Sequence, residues 1–187
     1  MNAIDALTTR VSCARLQGPA PSQEELDILF KVAARAADHA MLKPYRFLTI
    51  SGQESLAALG ALYRSASLQA DAALSLEQLE RIENLPFRAP MIVVAIACCE
   101  SHPKVPEIEQ QLTAAAAVQN MINAAYALDI GAYWRTGALA YNPIVKQGLG
   151  LKSNESIVGY LYLGQPCSDA RQLRDKDLEV KVQTWPS

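Results

Sequence analysis

Runs of apolar residues along the chain predict three strong β-strands. Residues 91–98 form an unbroken apolar run, which predicts a central strand buried on both faces because it lacks polar alternation. Residues 45–50 and 157–164 predict two further strands. A short strand is predicted over residues 132–135, in a segment bounded by glycines.

Apolar residues at helical spacing predict helices between these strands. The clearest start is at Ser22, which forms the capping-box pattern with Glu25. Another start is at Asn142, an N-cap followed by Pro143 at the first helical position. Further helices are predicted over residues 3–10, 53–70, 75–84 and 106–130. Strong strands that alternate with helices in no regular β-α-β order predict an α+β fold.

The helix predicted over residues 106–130 is the longest, and Gly131 is placed to be its C-cap. The helix is alanine-rich and apolar nearly all round, which suits a subunit interface as well as a core. A homodimer is therefore expected. The apolar stretch at residues 112–130 carries Gln119, Asn120, Asn123 and Asp129, so it predicts a buried helix rather than a membrane span, which needs about 20 predominantly apolar residues.

The composition is that of a globular protein. The 187 residues are 50% hydrophobic, too apolar for a disordered chain, and predict one domain over residues 1–187 with 167–187 as an extended tail. The net charge of −2 offers no basic field, so neither nucleic acid nor a membrane is expected as a partner. With no signal peptide evident, a cytoplasmic protein with reduced thiols is expected. The four cysteines form no Cys-x-x-Cys pair, and no metal site is expected.

The common sequence signatures of catalysis are absent from the chain. It contains no GxGxxG, no GxxxxGK[ST], no GxSxG and no HExxH. It has only two histidines. A protein with so few catalytic groups either binds a molecule or takes its chemistry from a cofactor.

Charged and polar groups gather in two segments of the N-terminal quarter. Residues 10–15 hold two arginines and a serine, which suit a phosphate because guanidinium groups make paired hydrogen bonds to its oxygens. Composition alone favours the alternative, a solvated helix end. Arg35 and His39 share a helix face if the second helix extends that far. Taken alone, that segment is better explained as charges at a helix C-terminus.

A third segment, residues 131–137, combines Trp134, Arg135 and Thr136 between two glycines. Glycines let a backbone approach a planar ligand closely, and backbone N–H groups or Arg135 could bond to its heteroatoms. The alternative is an edge strand with Trp134 in the core and Arg135 outside. The sequence alone favours neither interpretation.

Seven segments in register carry a family resemblance over about residues 3–166. They are Arg10-x-Ser12, Arg35-x-x-Asp38-His39, Pro44-Tyr45-Arg46-Phe47, Phe87-Arg88-Ala89-Pro90, Lys104-Val105-Pro106, Trp134-Arg135-Thr136-Gly137 and residues 158–164. In this order and at these separations they resemble the nitroreductase family of flavin-dependent oxidoreductases. The match is closest to its small single-domain NAD(P)H nitroreductases.

The resemblance implies an α+β, nitroreductase-like fold with a central mixed, mostly antiparallel sheet flanked by helices, assembled as an intertwined homodimer. It also implies two FMN molecules at the dimer interface. By position, the contacts with the FMN phosphate and ribityl group fall on Arg10, Val11 and Ser12.

The remaining cofactor contacts implied by the resemblance come from two other segments. Arg35 and His39 correspond to residues that reach the flavin from the partner chain. Trp134, Arg135 and Thr136 correspond to residues that line the isoalloxazine ring, with a backbone N–H near its N5. No side chain is expected to be catalytic, since N5 of the flavin carries the chemistry.

The activity implied by the resemblance is an FMN-dependent oxidoreductase that uses NADH or NADPH to reduce nitroaromatic or quinone-like acceptors by a ping-pong hydride mechanism. An alternative is a flavin-binding protein of the same fold with a specialised substrate or no turnover. One departure from the family bears on structure. Ala37 stands where close relatives have proline, so the second helix is expected to run one turn further.

Overall fold

The described part of the chain is built on one antiparallel β-sheet. The computed structural model describes residues 1–167 and 180–186. Its five strands are β1 (Leu16–Gln17), β2 (Tyr45–Ser51), β3 (Met91–Cys98), β4 (Gly131–Arg135) and β5 (Glu155–Pro166). Strand β5 is central: β3 pairs with it along one edge, β4 and β1 also pair with it, and β2 pairs with β3. Most of the predicted tail, residues 167–187, lies outside the described residues.

Helices cover both faces of this sheet. They are α1 (Ala3–Thr9), α2 (Gln23–Ala33), α3 (Gln53–Ala70), α4 (Leu76–Glu83), α5 (Glu107–Ala127), α6 (Ala138–Tyr141) and α7 (Pro143–Gly148), with 3₁₀ turns at His39–Met41 and Leu85–Arg88. Helices α2 and α5 share a core with one face of the sheet, whereas α3 and α7 share a core with the other. The described residues therefore form the α+β arrangement that the sequence predicts.

Strand β3 shows why an unbroken apolar run forms the centre of the sheet. Its residues alternate between the two cores: Ile92 and Val94 pack with α3, and Val93 and Ala95 pack with α2 and α5. All of its residues from Met91 onward are buried except the last, so neither face of the strand meets water. The strand has the bounds predicted from the sequence.

The predicted helix starts are confirmed. The Ser22 hydroxyl accepts a hydrogen bond from the Glu25 N–H, and the Glu25 carboxylate accepts one from the Ser22 N–H at 2.7 Å. The Asn142 side chain accepts hydrogen bonds from the backbone N–H groups at the start of α7. These local patterns act within one turn of helix, which is why they can be recognised without tertiary information.

The prediction that Gly131 caps the long helix is wrong. Helix α5 ends at Ala127, and Asp129 takes the left-handed conformation with φ of 57°. The Ile130 N–H then bonds back to the Ala125 carbonyl at 2.8 Å, which closes a Schellman motif one turn before the predicted end. Aspartate tolerates this conformation better than most residues other than glycine. Gly131 instead begins β4, where a Cβ would lie 2.4 Å from the Leu16 side chain.

The expected extension of the second helix is also wrong. Helix α2 ends at Ala33, and the next N–H groups, those of Arg35 and Ala36, bond to carbonyls three residues back. This tightened turn leads to Asp38, whose φ of −139° is extended. Arg35 and His39 therefore do not share a helix face, although Ala37 lacks the ring of a proline.

Candidate functional site

The loop after α1 runs beside strand β4. The Cys13 N–H donates a hydrogen bond to the Ala132 carbonyl at 3.0 Å, which joins the loop to the start of the strand. The Arg10 guanidinium lies 3.5 Å from the Ser12 hydroxyl, and Val11 is half-buried between them. Two of the predicted segments, residues 10–12 and 134–136, therefore belong to neighbouring parts of the structure.

An aromatic cavity of about 310 Å³ opens beside the end of β4. It is lined by the predicted residues Trp134, Arg135 and Thr136. The other lining residues are mostly tyrosines and leucines: Tyr63, Leu85, Tyr133, Leu139, Tyr160 and Tyr162. A volume of this size, with apolar walls and few polar groups, is typical of sites for small molecules.

The charge in this cavity belongs to Arg135. Its guanidinium carbon lies 4.2 Å from the centre of the Tyr133 ring and 5.2 Å from that of Tyr162, so two aromatic faces hold it. No carboxylate among residues 1–167 and 180–186 pairs with it, and its Nε atom is buried without a hydrogen-bond partner. The guanidinium therefore places a positive charge, with no paired carboxylate in the described ranges, in the cavity wall, and this charge favours a ligand that brings hydrogen-bond acceptors or negative charge.

Burial keeps Tyr63, Tyr160 and Tyr162 of the cavity wall neutral at ordinary pH. Burial raises the pKa of Tyr162 to about 12, against the opposing effect of the nearby Arg135 and Arg88 charges. Burial likewise raises the pKa of Tyr160 to about 12, and its hydroxyl donates to the Leu139 carbonyl at 3.2 Å. The Tyr63 hydroxyl is buried without a partner, and burial raises its pKa as well. Among the residues that line the cavity, Arg135 is the cation, and it lies beside the neutral ring of Tyr162.

Arg35 and His39 lie elsewhere on the chain's surface. His39 Nδ1 is 2.6 Å from a carboxylate oxygen of Glu109, at the N-terminal end of α5. The loop of Arg10 adjoins the other end, where the Thr9 hydroxyl is 3.1 Å from that of Tyr126. From Glu109 to Tyr126 the helix rises about 25 Å, at about 1.5 Å per residue. Within one chain, the structure does not bring His39 to the Arg10 segment.

The loop that carries His39 has a strained backbone. Ala40, Met41 and Lys43 all adopt positive φ angles, of 64°, 55° and 47°. Residues other than glycine pay about 1–2 kcal/mol each for this conformation. The Asp38 carboxylate holds the turn by accepting the Leu42 and Lys43 N–H groups at 3.2 and 2.7 Å. Such strain persists where the surroundings impose it, and it is concentrated at ligand sites.

Comparison with known proteins identifies the family. The model of the nitroreductase family matches residues 7–165 of the chain. The chain belongs to the nitroreductase family. Family membership agrees with the resemblance carried by the seven segments, which covers almost the same residues.

One relative within this family is "Putative NAD(P)H nitroreductase YdjA" of Escherichia coli K12. It is 37% identical to the chain over 166 residues, which is 89% of the length of each protein. The chain therefore spans nearly the whole of a nitroreductase-family relative.

Solved structures show the same fold. A nitroreductase-like family protein from Bacillus cereus gives a TM-score of 0.78 at 19% identity, with 98% of this chain and 97% of that one covered. A nitroreductase with bound FMN from Bacteroides fragilis gives 0.73 at 18% identity, covering 98% and 100%. At such identities, the likeness establishes the nitroreductase-like fold.

Metal-ligating clusters and membrane-spanning helices are both absent from the described ranges. Among residues 1–167 and 180–186, no three His, Cys, Asp or Glu side chains are grouped so that they could hold a metal ion. No helix in the same part of this nitroreductase-family chain is long and apolar enough to cross a membrane.

Sequence reasoning missed most of the cavity wall. Tyr160 and Tyr162 lie within the strand segment used for the resemblance, and their spacing of two places them on one face, a signal that was available. Tyr63 comes from α3, almost a hundred residues earlier, and no local pattern connects it to β5. Glu109, the partner of His39, is separated from it in the same way.

Proposed function

We propose that this chain is an FMN-dependent oxidoreductase that transfers hydride from NADH or NADPH to small electron-poor acceptors such as nitroaromatics or quinones. The observation that carries the proposal is the aromatic cavity with the unpaired Arg135 in its wall. An isoalloxazine ring is planar and bears several acceptor atoms on its edge, so it fits aromatic walls beside the guanidinium of Arg135. The name of the E. coli relative and the FMN in the B. fragilis structure support the same function.

Six residues of one chain form the proposed cofactor site. Trp134, Arg135 and Thr136 would line the ring, with a backbone N–H of this segment available to its N5 edge. Arg10 and Ser12 hold the phosphate and ribityl group, with Val11 between them. Arg10 is free for this role because no carboxylate in the described ranges pairs with it.

When bound, FMN supplies the chemistry by accepting hydride from the reduced nicotinamide and delivering it to the acceptor. The protein's part is to hold the ring and to keep positive charge beside it. Arg135 provides that charge, and no carboxylate in the described ranges pairs with it. No side chain has to donate or accept a proton in this scheme.

A homodimer completes the proposed site. His39 can contribute only from a second chain, because it lies about 25 Å along α5 from the Arg10 loop, and Arg35 is proposed to contribute from the same second chain. The same end of α5 exposes Ile108 and Leu112, which are 58% and 60% accessible and lie one turn apart. Exposed apolar side chains at this spacing form a face suited to another subunit.

The visible absorption spectrum tests the proposed function. Purified protein is mixed with FMN, desalted, and then treated anaerobically with NADH or NADPH. Flavin bands that survive desalting and bleach with the nicotinamide are the expected result. Bands that survive but do not bleach would favour the alternative, a flavin protein with a specialised substrate. A colourless protein would contradict FMN binding altogether.

Arg10→Ala and Arg35→Ala are each expected to raise the dissociation constant for FMN about tenfold or more. Each removes a charge-assisted hydrogen bond, which is worth about 1.5–3 kcal/mol. Quenching of FMN fluorescence on titration with protein measures the constant. Arg81→Ala is the matched control, because Arg81 is exposed on α4 and has no proposed role. Unchanged affinity in both variants would refute the residue assignment.

A further inference from the structure

We propose that Glu109 is a positioning residue that fixes the ring of His39 for its contact with the flavin. The inference rests on the proposed function, since it takes His39 as part of the cofactor site. It concerns a residue outside the seven segments of the family resemblance. Its basis is the 2.6 Å contact between His39 Nδ1 and a carboxylate oxygen of Glu109.

The contact determines which ring nitrogen is available to a ligand. A carboxylate only accepts hydrogen bonds, so Nδ1 must carry the hydrogen at this distance. In the neutral ring, Nε2 is then the acceptor and points away from Glu109. Glu109 thus sets both the tautomer and the orientation of His39, as carboxylates do for histidines at metal sites.

The surrounding loop restricts His39 in the same manner. Asp38 holds the following turn through two backbone N–H groups, and the Thr113 hydroxyl of α5 donates to the Ala37 carbonyl at 3.1 Å. The positive φ angles of Ala40 and Met41 show that the turn follows these restraints rather than its own preferences. Backbone and side chain are therefore both attached to α5, a rigid element on which a site can be built with precision.

Because the His39–Glu109 pair is exposed, a role in positioning the histidine ring can be distinguished from a role in stabilising the fold. The side chains of His39 and Glu109 are 53% and 44% accessible. Pairs this exposed contribute little to folding. Loss of Glu109 should therefore leave thermal unfolding nearly unchanged while it alters the histidine ring and the affinity for FMN.

The test compares Glu109→Ala with Glu107→Ala. Glu107 is the matched control because it also lies in the first turn of α5 and makes a surface hydrogen bond, to Gln111 at 2.9 Å. Two readouts are used: nitrogen NMR of the His39 ring in flavin-free protein, which reports the tautomer, and fluorescence titration with FMN. Glu109→Gln tests rescue, because its amide carbonyl can still accept from Nδ1.

Glu109→Ala is expected to convert a single Nδ1–H tautomer into a mixture and to raise the FMN dissociation constant roughly five- to tenfold. Glu107→Ala should change neither readout, and Glu109→Gln should restore both. In a double-mutant cycle, Glu109→Ala should add nothing to His39→Ala.

Two results would overturn the proposal, and they have different meanings. Wild-type tautomer and affinity in Glu109→Ala, with weakened binding in His39→Ala, would remove Glu109 from the site but leave the proposed function intact. Wild-type affinity in His39→Ala would show that His39 does not serve the cofactor. The fault would then lie in the site assignment on which the proposal rests.

Discussion

Glu155→Gln is expected to lower the free energy of unfolding by about 2–3 kcal/mol at neutral pH. The Glu155 carboxylate is buried in β5 and accepts two hydrogen bonds of 2.8 Å from Arg46 in β2, across β3. It also accepts the Lys152 N–H at 2.9 Å and lies 3.5 Å from the Cys98 thiol. The Arg46 side chain is 38% accessible, so water can hydrate its guanidinium when Glu155 is replaced. The expected loss in unfolding free energy is therefore smaller than for a fully buried ion pair. Urea denaturation measures it.

The same carboxylate predicts a pH dependence of stability. The hydrogen bonds from Arg46 hold the pKa of Glu155 at about 2, well below its ordinary value of 4.5. Between these values the unfolded chain binds more protons than the folded one, so acid favours unfolding. The stabilisation is complete above about pH 4.5 and is lost as pH falls toward 2. Glu155→Gln should therefore show a shallower decline in stability over that range than the wild-type protein.

Glu83→Gln serves as the control for both measurements. Glu83 bonds to Arg64 at 3.0 Å, and both side chains are about one-third accessible. Exposed pairs of this kind contribute about 0–1 kcal/mol. A loss at Glu155 no greater than the loss at Glu83 would show that burial does not strengthen the Arg46–Glu155 pair.

Gly159→Ala is expected to damage the cofactor site and the fold together. A Cβ at this position in β5 would lie 2.0 Å from Nε1 of Trp134 and 2.9 Å from the Arg135 carbonyl. Trp134 must move, and the segment proposed to line the isoalloxazine ring moves with it. We expect a loss of about 1–3 kcal/mol in stability, typical of overpacking, and at least about a tenfold rise in the FMN dissociation constant.

Gly148→Ala separates these two effects. Its Cβ would meet the Leu62 side chain at 2.5 Å, so it also overpacks a helix contact, but neither residue lines the aromatic cavity. Stability should fall by less than in Gly159→Ala, because the Cβ meets the terminal methyl groups of Leu62, which can shift, and FMN affinity should stay at the wild-type value. If both variants lost affinity equally, general destabilisation would explain the effect and the assignment of Trp134 would lose its support.

Sequence reasoning succeeded where structure is determined locally. The bounds of α3 and β3 and the cap at Ser22 follow from patterns within a few residues. The predicted C-terminal end of α5 is wrong. Gly131 is the more usual residue for a C-cap, but Asp129, two residues earlier, takes the left-handed conformation that ends the helix. The two-residue strand β1 was also missed, since it exists only through its pairing with the end of β5.

The residues of the candidate site also fall into two groups, those that the sequence indicates and those that only the folded structure brings to them. Arg10, Arg35, His39 and the segment at Trp134 are predicted from their chemistry and from family resemblance, and their roles stay predictions. Their neighbours in the fold are not predicted, because those depend on strand register and helix packing. Arg135 lies opposite Tyr160 in the β4–β5 ladder, while Tyr63 reaches Tyr160 from α3, with ring centres 5.7 Å apart. These contacts join residues that are distant in the chain.

The length of α5 has a genetic consequence. Each cofactor site is proposed to take Arg10 from one chain and His39 from the other. A chain lacking Arg10 can then still supply His39 to its partner's site, and a chain lacking His39 can still supply Arg10 to its own. Mixing the two weakly binding proteins, or expressing both in one cell, would produce hybrid dimers. Each hybrid would contain one site with both defects and one site with none, so sites with wild-type affinity for FMN would reappear from two parents that have none.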